Sequence, residues 1–430
     1  MKKILASVGI VAVGATAAHV QAAGSDAADS SKPWSVSATL RGFYDDNYIT
    51  APKGYERDSF GISISPSVAL KLPLDQTDID LKYTYGATWY ADRSDVNSDN
   101  NAWDQSHQID ASLLHRFNER YSVSVRDSFV VAQEPELLTS GPITLPYRIQ
   151  GNNIHNHGEA LLNGALTRQL GFVVGYQNNY YDYENSGGNF VTPSLSGLLD
   201  RIEHLVLANL RWQVQPETVF VLGYNYGQVD YQSDETITFI PIGPSAGFQT
   251  SKLRNNRSHY VYGGIDQNFS KDLVLSVRGG GQWTDYYNDP ANNSATSPYG
   301  SVSLNYAYLP GSSVEIGFTH SRNQTDILAP DASGKVTADQ QSSVVYGSIH
   351  HKFDAKISGN ASVQWQNSDF NGGLYDGQTD NFLDAGVGLT YQFNRHLAGE
   401  VGYNFSNLSS DIPGRDYDRN RVYLGVTATY

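Results

Sequence analysis

Hydrophobic residues recur at every second position along most of this chain. In Arg421–Tyr430 the residues Val422, Leu424, Val426, Ala428 and Tyr430 share one parity, and Tyr423, Gly425, Thr427 and Thr429 share the other. Successive side chains of a strand point to opposite faces, so this segment predicts a strand with one apolar face and one small or polar face. After His396, Leu397, Val401, Tyr403 and Phe405 oppose Ala398, Glu400, Gly402 and Asn404. Leu383, Ala385, Val387, Leu389, Tyr391 and Phe393 form another apolar row, and Leu81, Tyr83, Tyr85, Ala87 and Trp89 oppose Asp80, Lys82 and Thr84. Ile357, Ala361, Val363 and Trp365 oppose Asn360, Ser362, Gln364 and Gln366 in the same way.

One unit repeats from Trp34 onward: two alternating segments meet at a short turn, and a longer polar loop follows. The turns fall near Leu74-Asp75-Gln76, Asn118-Glu119-Arg120, Arg168-Gln169, Gln215-Pro216-Glu217, Ser270-Lys271-Asp272, Pro310-Gly311-Ser312, Asp354-Ala355-Lys356 and Asn394-Arg395-His396. These are hairpin-turn residues. Phe117, Phe269, Phe353 and Phe393 precede several of them, where an interfacial aromatic girdle would sit. Longer segments rich in Asn, Asp, Gly and Ser run over 49–57, 92–104, 132–152, 184–198, 232–256, 287–297, 323–339, 368–379 and 408–418. Short connections at one end and long ones at the other predict a transmembrane up-and-down antiparallel β-barrel over residues 34–430. The count is about 18 strands, with 16 possible. Propeller blades would need four short strands per period without that asymmetry. A soluble sandwich would need short strands every ~8–12 residues.

Parity then sorts lipid from lumen. A Lys or Arg on the lipid face costs about 2–4 kcal/mol at the midplane, so charge belongs inside. The inward parity carries Arg41, Lys71, Lys82, Arg116, Arg126, Arg201, Arg211, Arg278, Lys352 and Lys356, with Asp110, Glu159, Glu203, Asp266, Glu315 and Glu400. Opposite charges facing across a pore would set up a transverse field that orients solutes. Pairing within the wall is the simpler reading. Asp127 shares parity with Val123, Val125 and Phe129, and is expected near the loop end or at a register shift. Around Val219 to Tyr226 both parities are apolar, and the outward one is undecided.

Composition narrows the picture. Residues 1–22 read as a signal peptide, with Lys2 and Lys3, an apolar run from Ile4 to Val13, and a cut after Ala22 or Ala23. A polar leader, 23–33, follows. Removing Lys2 and Lys3 from 29 basic residues leaves 27 against 44 acidic ones, near −17, which excludes the basic patches of a nucleic-acid binder. There is no cysteine, so no disulfide holds the fold. The 29 tyrosines suit the two interfaces of a bilayer. Negative mean hydropathy excludes a helical membrane bundle and not a barrel, whose strands meet lipid at alternate residues only.

Arg116-Phe117-Asn118-Glu119-Arg120-Tyr121-Ser122-Val123-Ser124-Val125-Arg126-Asp127-Ser128-Phe129, running on through Val130 to Pro135, resembles the putative β-barrel porin type 2 family. The resemblance extends over most of the mature chain through its repeated hairpins. It implies an outer-membrane, porin-like barrel and supplies no catalytic or ligand residues. Relatives associated with exopolysaccharide or secretion loci keep an export role open. The terminal segment ending at Tyr430 resembles the C-terminal strand by which the barrel-assembly machinery recognises its substrates.

Three features are candidates for chemistry. The long loops hold Asp92, Asp95, Asp99, Asp104, Glu134, Glu136, Asp234, Glu235, Asp411, Asp416 and Asp418. They would favour cations, or divalent ions shared with lipopolysaccharide phosphates, unless they are plain solvated loops. Pro135–Pro146 and Ile237–Phe248 mix Pro, Gly and apolar residues, and loops of that content pack on something. Glu136, Leu138, Ile143, Leu145 and Tyr147 are therefore expected to fold inward as a constriction, an external hairpin being the alternative. His155, His157 and Glu159 alternate on one inward face and are the weak candidates for zinc or copper; a polar ladder explains them equally, and no metal is assigned. His350 and His351 point to opposite faces. No Gly-x-Ser-x-Gly elbow or Walker loop is present.

The expectation is an outer-membrane channel for passive diffusion of small hydrophilic solutes, without enzyme activity or cofactor. Its partners would be the lipid bilayer, lipopolysaccharide, the assembly machinery, and small solutes or oligosaccharide, with no nucleic acid. The alternatives are a polysaccharide export barrel, for which Tyr260 and Tyr262 are the inward aromatics, a barrel hydrolase, and a structural barrel plugged by its loops.

Overall fold

The computed structural model describes residues 32–93, 102–132, 152–184, 186–188, 193–291 and 293–430, and the backbone of 138–140 and 143–145. In chain order the elements are β1 (Trp34–Asp45), β2 (Ser59–Pro73), β3 (Thr77–Tyr90), β4 (Trp103–Arg116), β5 (Tyr121–Ala132), β6 (Leu138–Ser140), β7 (Ile143–Leu145), β8 (Asn153–Ala165) and β9 (Leu170–Tyr183). Then come helix α1 (Leu195–Leu199), β10 (Arg201–Gln215), β11 (Thr218–Tyr231), β12 (Thr238–Ile240), β13 (Gly247–Gln249), β14 (Asn256–Asn268), β15 (Leu273–Asp285) and β16 (Ser294–Leu309). The chain finishes with β17 (Ser312–Asn323), β18 (Asp339–Lys352), β19 (Ile357–Asn371), β20 (Thr379–Asn394), β21 (Leu397–Ser410) and β22 (Tyr417–Thr429).

Each long strand pairs antiparallel with its neighbours in sequence, and β22 returns to β1 from Ser37↔Thr429 to Asp45↔Arg421. The result is a closed sheet of 18 strands. The pairs β6–β7 and β12–β13 are separate small hairpins within long loops. All eight short turns lie at one end of the barrel, and all the long loops at the other.

Local chemistry closes the short turns. Asn118 Oδ1 accepts from the Arg120 and Tyr121 amides, and Asp354 Oδ1 from those of Lys356 and Ile357. Thr167 Oγ1 accepts from Gln169 and Leu170, and Asn394 Oδ1 from His396. Each side chain stands in for a backbone acceptor two or three residues back, the device of Asx and ST turns. Gly311 supplies the positive φ of 77° that its turn requires.

Apolar side chains face out. Leu40, Ile62, Leu81, Val125, Leu222, Val363, Val387 and Leu424 are exposed, while their sequence neighbours point into the barrel. Leu74, Phe117, Trp212, Phe269, Phe353, Phe393 and Tyr430 ring the short-turn end, all exposed. Along β11 the outward residues are Phe220, Leu222, Tyr224 and Tyr226. Val221 and Gly223 lie inside, where the Tyr262 ring fills the space over Gly223.

Asp127 departs from expectation. It sits in mid-β5 on the outward face, in unbroken register with Ala111 on one side and Gly158 on the other. The neighbouring outward side chains are polar: Asn156 Nδ2 donates to Asp127 Oδ1 at 3.1 Å, and Asn178 Nδ2 contacts His204 Nδ1 at 3.2 Å. Local polar neighbours, and not a shift of the ladder, accommodate the carboxylate.

Candidate functional site

The interior wall is built from the inward parity of all 18 strands. Arg41 Nη2 lies 2.7 Å from Glu400, and Arg126 lies 3.7 Å from Glu159. Asp266 takes Arg211 at 3.0 Å and Arg278 at 2.6 Å, and Arg201 pairs with Glu203 at 2.7 Å. Arg116 reaches Asp78 at 2.8 Å at the short-turn rim. These partners stand on the same or nearby strands, so the charges meet along the wall and not across the barrel. Asp110 instead accepts from Gln108 and Ser128. Lys71, Lys82, Glu315 and Lys352 also lie on inward strand positions. Lys356 does not: it belongs to the turn before β19, where its amide is held by Asp354.

A second pattern lines the wall. Four inward rings each lie across a glycine that is their register partner: Phe43 on Gly61, Tyr262 on Gly223, Tyr346 on Gly317 and Tyr423 on Gly402. A Cβ at any of these glycines would fall about 2.1–2.2 Å from the ring. The missing side chain lets the ring lie flat, so it covers the wall instead of projecting from it. Tyr423 is capped by the Arg41 guanidinium, 4.3 Å from its centroid, and Phe43 by Arg421 at 4.6 Å.

Tyr260 and Tyr262 join Tyr299, each with its centroid 5.4 Å from the third ring. The Tyr262 hydroxyl donates to Asn209 at 2.7 Å, and Gln282 donates to Tyr260 at 3.0 Å. Tyr299 was not singled out from sequence, although its parity marks it as inward.

His155, His157 and Glu159 do share the inward face, and each meets a neighbour on β9. His155 stacks on Tyr181 at 4.6 Å, His157 Nδ1 lies 2.6 Å from Asn179 Oδ1, and Glu159 accepts from Gln177 at 2.8 Å. Among the described residues no group of three or more His, Asp or Glu is placed to hold a metal.

At the long-loop end, four loops lock together around two arginines. Arg254, fully buried, donates to the carbonyls of Leu198 and Thr325 and to Ser251, and stacks on the inward ring of Tyr231 at 4.3 Å. Arg415 holds Asp326 at 3.0 Å and Asp380 at 2.9 Å. Ile240, Leu253 and Val336 form the apolar contact between the 232–255 and 324–338 loops. The Arg322 amide donates to inward Gln282 at 3.0 Å, and Tyr231 donates to Gln324 at 3.2 Å. This assembly therefore rests on the inner side of the mouth. Neither arginine was nominated from sequence.

Several acids at this end are bound as well. Glu235 accepts from the Gly187 and Gly188 amides and from Ser194. Asp411 accepts from Thr379, Asp416 from the Ser410 amide, and Asp104 pairs with Arg93. Asp95, Asp99 and Glu134 lie outside the described residues, as do Glu136 and Tyr147 of the expected constriction. Of that loop the backbone shows a hairpin with Leu138 opposite Leu145 and Ile143 opposite Ser140.

With the wall and the loops in place, the chain can be compared with known proteins. Residues 249–430 match the family described as putative beta-barrel porin 2. That porin family is the one resembled by the Arg116–Pro135 stretch, although the matched segment lies C-terminal to it and carries β14–β22. No curated protein matches the chain. Among solved structures, OpdK of Pseudomonas aeruginosa with vanillate is 12% identical over 92% of this chain and 99% of its own, with a TM-score of 0.45. OccAB4 of Acinetobacter baumannii is 14% identical over 93% and 99%, with a TM-score of 0.43. OccK2 (OpdF) of P. aeruginosa with glucuronate is 11% identical over 92% and 98%, with a TM-score of 0.44. None of these likenesses bears on what the barrel does.

Proposed function

We propose that the barrel is an outer-membrane channel through which small hydrophilic solutes diffuse passively. The observation that carries this reading is the inverted distribution of polarity. Apolar side chains cover the outside, while ion pairs, amides and hydroxyls cover the inside. A barrel of this strand number encloses room for water. Export through a cleaved leader, residues 1–22, belongs to the same proposal, with the short turns facing the periplasm. The inner-wall residues Arg41, Arg126 and Arg211 would then meet the solute, with Glu400, Glu159 and Asp266 behind them, and the Arg254–Arg415 loop assembly would narrow the outer mouth. No catalytic role is assigned to any residue.

The test is single-channel recording of the purified, folded protein in planar bilayers, with and without added oligosaccharide. Discrete steps whose size rises with salt, unaffected by oligosaccharide, are expected. Bilayers that stay silent at every salt concentration would overturn the channel. The rival export reading asks for rings stacked along a sugar path. Tyr260, Tyr262 and Tyr299 instead pack on one another, and Tyr262 is tied to Asn209.

A further inference from the structure

The charge count of the interior wall conceals an asymmetry of depth. In its ion pairs the carboxylate tends to lie beneath and the guanidinium above. Side-chain exposure is 58% for Arg126 against 2% for Glu159, and 28% for Arg41 against 4% for Glu400. It is 19% for Arg211 against 8% for Asp266, which also holds Arg278 at 10%. Arg421 is 23% exposed over a fully buried Asp45. One pair runs the other way, with Arg201 at 1% and Glu203 at 23%.

The cause is stem length. A short carboxylate ends near the backbone of its strand, while an arginine arches over it and rests its flat head on a neighbour, as Arg41 does on Tyr423. The arginines occupy one arc of the barrel, where Arg211 and Arg278 share Asp266 and Arg278 also donates to the Ile265 and Val277 carbonyls. Arg41 stands on β1, Arg126 on β5, Arg211 on β10 and Arg278 on β15, each several residues from either strand end. The other interior charges come close to cancelling. Lys71, Lys82 and Lys352 stand against Asp80, Asp110, Glu315 and Asp384, of which Asp110 and Asp384 are already bound by Ser128 and Ser406.

We propose that Arg41, Arg126 and Arg211 form a cationic belt along one arc of the wall that makes the passage prefer anions and takes small organic carboxylates as its solutes. The belt offers N–H donors to the water, and its counter-charges sit behind it. A carboxylate solute gains charge-assisted, bidentate bonds there, and a cation is kept away from the acids that would attract it. The proposal rests on the channel reading above, and it opposes what the net charge of −15 alone would predict, which is cation preference.

Reversal potential in a potassium chloride gradient separates the two. The expected potential has the sign set by chloride, moves toward zero in Arg126→Gln combined with Arg211→Gln, and keeps its wild-type value in Arg126→Lys. A zero or potassium-signed potential in the wild type overturns the belt, as does equal loss in the glutamine and lysine variants. If no current flows at all, the channel reading has failed on its own. Titration of succinate into the detergent-folded barrel then decides the belt: saturable binding weakened by the glutamine variants supports it, and absence of binding overturns it.

Discussion

Four interior rings lie flat because the residue beneath each is glycine, and this makes those positions intolerant of a single methyl group. At Gly402 an added Cβ would meet the Tyr423 hydroxyl and ring at 2.2–2.3 Å. The ring cannot lift, since Arg41 caps it and Phe43, Tyr48 and Tyr90 pack around it. Gly402→Ala should therefore cost about 1–3 kcal/mol, as overpacking does in a close-packed site. Urea titration of the folded barrel would show it, and Gly42→Ala, on the outward face with nothing within 4 Å, is the matched control. Asp127 makes the opposite case. Its carboxylate spends stability on the lipid face, by less than the ~2–4 kcal/mol of a central Lys or Arg. Asp127→Val should raise the urea midpoint in lipid vesicles; a lower midpoint would show that the Asn156 bond outweighs the exposure to lipid. The alternation of residues gave Asp127 its face. It did not reveal the polar neighbours, because Asn156 and Asn178 belong to strands that become adjacent to Asp127 or to each other only through pairing.

At the scale of elements, strands and loops obey different rules, and this decides what can be read from sequence. A strand's face and a turn's closure depend on residues within a few positions, so parity gave the face of the inward charges, Lys356 in its turn excepted, and most of the short turns were visible from Asn, Asp, Pro or Gly, though Arg168-Gln169 carries none of these. The loop assembly depends on distant partners. Arg415 and Asp326 are 89 residues apart, and Arg254 meets Thr325 from 71 residues away. Nothing periodic marks such pairs. The segment ending in α1 shows how these loops respond to pH. Burial pushes the Asp200 carboxyl up to about 6, with Asp182 and Glu235 adding to it, against the Ser196 hydroxyl and the Tyr183 amide. Its folded value exceeds its unfolded one, so ionisation costs the folded loop. The contribution is complete below about pH 4 and falls away as pH rises toward 6. Proteolysis of the loops should therefore be slower at about pH 4.5 than at about pH 7. Asp200→Asn should abolish this difference; an unchanged pH slope in the variant would assign the effect to other groups.

For the whole molecule, the decisive contact is the one that turns a sheet into a barrel. Asp45 on β1, fully buried, accepts from Arg419 at 2.8 Å and from Arg421 at 2.7 Å on β22. Asp46 holds Asn420 beside them. Removing this shared carboxylate in Asp45→Ala should cost on the order of 2–3 kcal/mol, because two sheltered cations lose their common partner. On a semi-denaturing gel the variant should convert from the compact to the extended band at a lower temperature than the wild type. An unchanged conversion temperature would mean that the backbone ladder alone holds this joint. At the short-turn end the same joint is tied by Val36 and Tyr430, whose amides and carbonyls exchange bonds at 3.0 and 2.8 Å.

The Thr39–Thr427 contact spans 388 positions of the chain. A cylinder fastened between its opening and closing strands has no stable halfway form: until the final segment arrives, two raw flanks of unbonded backbone stay open to any passing strand. Delivery to the membrane must therefore keep the unfinished ribbon shielded, and a chain clipped before β22 should be destroyed or aggregate instead of leaving a narrower tube.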